Sequence, residues 1–85
     1  MASYEVLVAG SARKELERIP HGYQTRIVRR IDALAHNPRP PGCKKLAGGD
    51  QYRIRQGPYR VIYEVVDETK TVDIVKIGHR SDVYR

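Results

Sequence analysis

The 85-residue sequence predicts a single α+β domain in the order β-α-α-β-β-β, a helical hairpin packed on a small antiparallel-rich sheet. Three observations predict it. The aliphatic residues comprise 16 Val or Ile against 4 Leu, a bias that favours sheet over a helix bundle. Residues 12–34 carry apolar side chains at spacings of three and four, whereas residues 51–77 hold β-forming runs. Short links of turn-forming residues divide those runs, as hairpins require.

Taken in order, residues 3–9 read as the first strand, broken by Gly10 and Ser11. Ser11 offers a capping oxygen to a helix over about residues 12–18, with Ala12, Leu16 and Ile19 as its apolar line. Pro20 stops that helix, because it has no N–H to donate and restricts Ile19. A second helix follows over residues 21–36, with Tyr23, Ile27, Ile31 and Leu34 on one stripe and Arg26, Arg29 and Arg30 off it. Asn37-Pro38-Arg39-Pro40-Pro41-Gly42 makes a stiff connection into a loop that holds Lys44 and Lys45. Three strands close the chain, at residues 51–56, 59–66 and 71–77, joined by Gly57-Pro58 and by residues 67–70.

Length and composition narrow the function. The chain fits one domain over residues 1–85. No apolar run nears the roughly 20 residues of a membrane span, and no signal-peptide pattern opens the sequence. The lone Cys43 excludes an internal disulfide framework and fits a reducing, cytoplasmic setting. The three scattered histidines argue against a metal site, and no cofactor motif is present. What stands out is charge: +6 net, with 11 Arg and 5 Lys. Each half of the chain nets +3, so the surplus belongs to the folded surface rather than to a tail. Arginine stays ionised and grips phosphate or carboxylate with a planar fork, which points to a polyanion or an acidic partner.

The first hairpin sharpens this. Alternation puts Arg53 and Arg55 on one face and Tyr52 and Ile54 on the other. A two-residue Gly57-Pro58 loop sets Gln56 against Tyr59, Arg55 against Arg60 and Arg53 against Ile62. Like charges directly opposed in a ladder destabilise it. A solvated edge explains one such arginine; three converging on one face call for an anion. At the C-terminal end, Arg80 and Tyr84 add a cation and a phenol whose ionisation nearby positive charge favours.

Asn37-Pro38-Arg39-Pro40, Lys44-Lys45-Leu46, Tyr52-Arg53-Ile54-Arg55, Tyr59-Arg60-Val61-Ile62-Tyr63 and Gly78-His79-Arg80 with Val83-Tyr84 occur in one order along the chain. In that ordered series the chain resembles the RelE/ParE toxin superfamily of type II toxin–antitoxin systems, and its RelE branch in particular. The resemblance implies a RelE-like microbial RNase fold and a metal-independent endoribonuclease (an mRNA interferase) that cleaves mRNA in the ribosomal A site. It implies a catalytic set of Arg53, Arg55, Arg60, Arg80 and Tyr84, with Tyr84 as general base. Lys44, Lys45, Arg53, Arg55 and His79 are the implied RNA contacts, His79 in a supporting rather than a catalytic duty. The implied partners are a cognate RelB-like antitoxin, the ribosome with its mRNA, and operator DNA only through the antitoxin complex. A ParE-like inhibitor of DNA gyrase without RNase activity is the alternative, and a basic domain that only binds antitoxin and operator DNA is a third reading.

Overall fold

A computed structural model describes residues 4–81. Along them run β1 (Glu5–Val8), α1 (Gly10–Glu17), α2 (His21–Ala33), β2 (Lys44–Lys45), β3 (Gln51–Gln56), β4 (Tyr59–Val66) and β5 (Thr71–His79). The strands form a five-stranded sheet in the order β1-β5-β4-β3-β2. β1 lies parallel to β5 and every other neighbouring pair is antiparallel. The architecture is α+β, a helical hairpin on one face of a mixed sheet.

Several boundaries differ from the expectation, each for a local reason. α1 begins at Gly10, and its N-cap is Ala9, which has no side-chain cap. Ser11 therefore lies inside the first turn, which the Arg13 N–H closes onto the Ala9 carbonyl at 2.9 Å. Pro20 does more than end α1. It is the N-cap of α2, with φ −52° and ψ 140°, and its carbonyl accepts from the Gln24 N–H at 2.9 Å. α2 ends at Ala33, beyond which Leu34 and His36 continue in tighter turns back to Ile31 and Ala33. β2 was not expected, because two adjacent lysines carry neither alternation nor β propensity. Its pairing of Lys44 with Arg53 and Lys45 with Tyr52 exists only because β3 supplies a template.

The core lies between the helices and one sheet face. Ala12 and Ile19, then Ile27, Ile31 and Leu34, bury themselves against Ile54, Val61, Tyr63, Val65, Val72, Ile74 and Ile77. Each large aliphatic side chain so buried contributes about 1.5–3 kcal/mol. The helical stripe therefore packs as the spacing predicted, except that Tyr23 at its N-terminal end stays 37% exposed.

Tyr63, at 0% exposure, resolves its polar end by donating to the Pro38 carbonyl at 2.7 Å. Burial first, and the nearby Cys43 second, push its phenol well above the usual value, so it remains a donor. Next to it, Arg39 donates to the Tyr52 hydroxyl at 2.9 Å and forks onto Asp67 at 2.8 and 3.3 Å. Tyr4 donates to the same carboxylate at 2.6 Å. One proline-rich connection is thus tied to β3, to the β4–β5 turn and to the start of the chain's first strand.

One irregularity decides what the other face displays. Ile62 pairs with Lys76 but Tyr63 pairs with Ile74, so β5 holds one extra residue, Val75. The bulge switches the alternation. Val72 and Ile74 face the helices before it, and Ile77 faces them after it, while Lys76 and Gly78 turn to the opposite side.

Candidate nucleic-acid interface

The sheet face away from the helices carries the charge. The register sets Gln56 opposite Tyr59, Arg55 opposite Arg60 and Arg53 opposite Ile62, as the two-residue loop required. It then extends each row across neighbouring strands. One row runs Arg55, Arg60, Gly78; the next runs Lys44, Arg53, Ile62, Lys76. Five cations thus share one patch. Gly78, opposite Arg60, brings no side chain to the row and is itself buried.

The hairpin turn that creates this register has its own requirement. Gly57 takes φ 59°, a left-handed value, and proline holds Pro58 near −65°. That sequence of signs is a type II′ turn, whose twist suits a two-residue hairpin.

Ile62 lies on this charged face yet is only 5% exposed. Its register neighbours are Arg53 and Lys76 across the ladder and Arg60 and Glu64 along its own strand. Long stems of arginine and lysine at such positions can cover an apolar neighbour while their ends reach water. The Nε atoms of Arg53 and Arg60 are both buried and both lack a hydrogen-bond partner among the described residues. A buried N–H without an acceptor costs about 1–3 kcal/mol. Among the described residues the face therefore carries an unmet demand for acceptors as well as an unmet demand for negative charge.

Glu64, two residues beyond Ile62 on β4, does not meet it among the described residues. Glu64 accepts from the Gln51 amide at 3.3 Å, and among the described residues the ion pairs are Arg18 with Glu15 and Arg39 with Asp67. Glu64 instead pairs in register with Asp73. With Glu5 in the following row, these acids make the far end of the same face negative. The face is thus polarised along the strands, basic towards the Gly57-Pro58 turn and acidic towards the β4–β5 turn. Sequence reasoning missed Lys76 and Asp73 as parts of this face. The step of three from Ile74 to Ile77, where two was expected, was the available signal for the bulge.

The remaining expected site residues fall in different places. The Arg80 N–H donates to the Pro58 carbonyl at 2.9 Å, which continues the β4–β5 register and sets Arg80 on the arginine face beyond Gly78. His79 lies on the opposite side, edge-on to Tyr59 with ring centroids 5.9 Å apart. Its Nδ1 accepts from the Ser81 N–H at 3.3 Å and lies 2.9 Å from the Ser81 hydroxyl. Lys44 joins Arg53 on the basic face, whereas Lys45, one residue on, points to the helix side next to Tyr52. Tyr84 lies outside the described residues. No three His, Cys, Asp or Glu side chains gather among the described residues as metal ligands would, and no described helix is long and apolar enough to cross a membrane.

Similarity to known proteins agrees with this geometry. Residues 6–84 match the family described as "ParE toxin of type II toxin-antitoxin system, parDE". Toxin RelG of Mycobacterium tuberculosis is 33% identical over 86 residues, covering 96% of this chain and 97% of that one. A chain of the archaeal RelE–RelB complex from Pyrococcus horikoshii OT3 superposes with a TM-score of 0.85 at 32% identity, covering 95% of this chain and 99% of that one. The isolated Escherichia coli RelE toxin superposes with a TM-score of 0.80 at 26% identity, over 95% and 90% of the two chains. Sequence, sheet order and relatives converge: the chain belongs to the RelE/ParE superfamily and is a toxin of a type II toxin–antitoxin system.

Proposed function

We propose that this toxin is a ribosome-dependent endoribonuclease that cleaves mRNA in the A site by attack of a ribose 2′-OH, with no metal or cofactor. The observation that carries the reading is the pair of buried Nε atoms of Arg53 and Arg60, without a partner among the described residues, on a face holding five cations. A phosphodiester supplies both the acceptors and the negative charge that this face lacks.

In this mechanism Tyr84, as phenolate, takes the proton of the 2′-OH. The 2′ oxygen bonds to the adjacent phosphorus as the bond to the 5′ oxygen breaks, and the departing 5′ alkoxide takes its proton from water. The products are a 2′,3′-cyclic phosphate and a 5′-hydroxyl. Arg60, with Arg53 or Arg55, stabilises the extra charge of the pentacoordinate transition state, a contribution of about 10²–10³-fold per donor. Arg80 lies at the turn end of the same face and steadies the leaving oxygen electrostatically, since a group with a pKa above about 12 is a poor acid. Lys44 adds to the backbone grip. The ribosome holds the message in the in-line geometry that the reaction needs.

This activity implies a cytoplasmic protein that is silent until released. A RelB-like antitoxin with an acidic segment over Arg53, Arg55 and Arg60 keeps it so, and operator DNA is reached only through that complex. RelE–RelB assemblies among the structural relatives support such a partner. The second reading, gyrase inhibition, rests on the match to the ParE family description.

A translation extract with a defined mRNA separates the two. Codon-phased 5′ ends that vanish with Tyr84→Phe and Arg60→Ala support the nuclease. Intact mRNA alongside gyrase-linked DNA breaks sinks it.

A further inference from the structure

β2 covers β3 only opposite Arg53 and Tyr52, so the β3 edge from Ile54 to Gln56 has no strand beside it among the described residues. A cleft of about 570 Å³ lies along that edge, lined by Arg30 of α2, by Lys44, Arg53 and Arg55, and by residues 41–43. Four cations line it and no carboxylate does. The cleft beside α1 includes Glu15, and the one beside the 47–50 loop includes Asp50 and Glu64. The contrast matters, because four like charges around a cavity repel one another unless something anionic enters.

Arg30 is held there by the sheet itself. In the antiparallel ladder of β3 the main-chain groups of successive residues alternate between β4 and the open edge. The Leu46 N–H takes the Gln51 carbonyl on that edge at 2.8 Å, and by the same alternation the N–H and C=O of Arg55 point there too. One Arg30 guanidinium nitrogen donates to the Arg55 carbonyl at 3.1 Å. That bond fixes a fork with five N–H groups at the mouth of the cleft while using one of them. None of the four cations has a carboxylate partner among the described residues.

Arg53 and Arg55 belong both to this cleft and to the basic sheet face. A chain of phosphates bound across the face therefore has a continuous path around the β3 edge. We propose that the cleft is a second phosphate subsite, in which Arg30 and Lys44 take a backbone phosphate flanking the scissile one in a single-stranded RNA. This rests on the RNA reading above and adds Arg30 to it.

The test is binding of the full chain to a 2′-O-methyl hexaribonucleotide, which lacks the attacking hydroxyl and stays intact. Affinity is measured against salt for Arg30→Met, Arg30→Lys and Lys44→Met. Arg30→Met should weaken binding about 5–10-fold and flatten the log–log salt slope by about 0.7, the loss of one single-strand phosphate contact. Arg30→Lys should restore most of the slope. When a neutral methylphosphonate replaces one linkage at a time, one linkage should abolish the Arg30→Met penalty, and the same linkage should abolish that of Lys44→Met. Should Arg30→Met fail to fold for want of its bond to Arg55, Lys44→Met carries the same linkage test. An unchanged slope, or an equal penalty at every linkage, overturns the subsite. So does an Arg30→Met defect seen only with an acidic peptide, which would make the cleft an antitoxin contact, or one reproduced in full by inorganic phosphate. A protein that shows the linkage effect but cuts no mRNA on ribosomes sinks the nuclease reading alone; one that cuts mRNA with Arg30→Met binding as wild type sinks the subsite alone.

Discussion

Arg55 and Arg60 stand directly opposite one another across the β3–β4 hairpin, with no carboxylate between them among the described residues. Directly opposed like charges cost a ladder about 0.2–1 kcal/mol, and the buried Arg60 Nε adds a donor unmet among the described residues. Replacing Arg60 with Leu should therefore leave stability to urea unchanged or raise it by up to about 1 kcal/mol. The same change should lower mRNA cleavage by about 10²–10³-fold. Equilibrium unfolding and cleavage assays on one protein preparation read both. A large loss of stability would show that the arginines are structural.

An anion that satisfies this face should also stabilise the fold, because a ligand bound only to the native state raises the melting temperature. Millimolar phosphate is expected to raise the melting temperature of the wild type more than that of Arg60→Leu. Equal shifts would place the effect elsewhere.

Tyr23 closes off the space beside Gly57, where an added Cβ would lie 2.9 Å from Tyr23 Cε1. That ring is itself held edge-on to Tyr59, with centroids 5.2 Å apart. Gly57→Ala should cost about 1–3 kcal/mol, the left-handed backbone and the ring contact together. In a Tyr23→Ala background the contact is gone and only the backbone cost of roughly 1 kcal/mol remains. Urea unfolding of the double-mutant cycle measures the difference.

Tyr63→Phe removes the hydrogen bond that the Tyr63 hydroxyl donates to the Pro38 carbonyl in the proline-rich connection. The expected loss is about 1–2 kcal/mol, read by urea unfolding.

Asp67 carries a pH signature. Hydrogen bonds from Arg39 and then Tyr4 hold its carboxyl below the ordinary 3.8. Its contribution is present above that ordinary value and is lost as pH falls through the lower folded one. The Tyr4 phenol is shifted upward by the hydrogen bond it gives Asp67, so its contribution is present below about 10 and fades as pH rises through the higher folded value. Asp67→Asn should flatten the acid limb of the melting-temperature profile below about pH 4. An unchanged acid limb would mean that other carboxylates govern it.

The sequence by itself determined the α+β class, the helical stripe, the hairpin register and the opposition of Arg55 to Arg60. These are local properties: period, turn length and the handedness that Gly57-Pro58 permits are all written within a few residues. Tertiary structure decided the rest. β2 forms only where β3 templates it, and the Val75 bulge, required to keep both Ile74 and Ile77 in the core, sends Lys76 and Gly78 to the basic face. Arg30, 25 residues from Arg55 in sequence, meets the sheet edge only because α2 packs there and the Arg55 carbonyl has no strand to accept from among the described residues. Such placements depend on partners distant in the chain, and no local pattern encodes them.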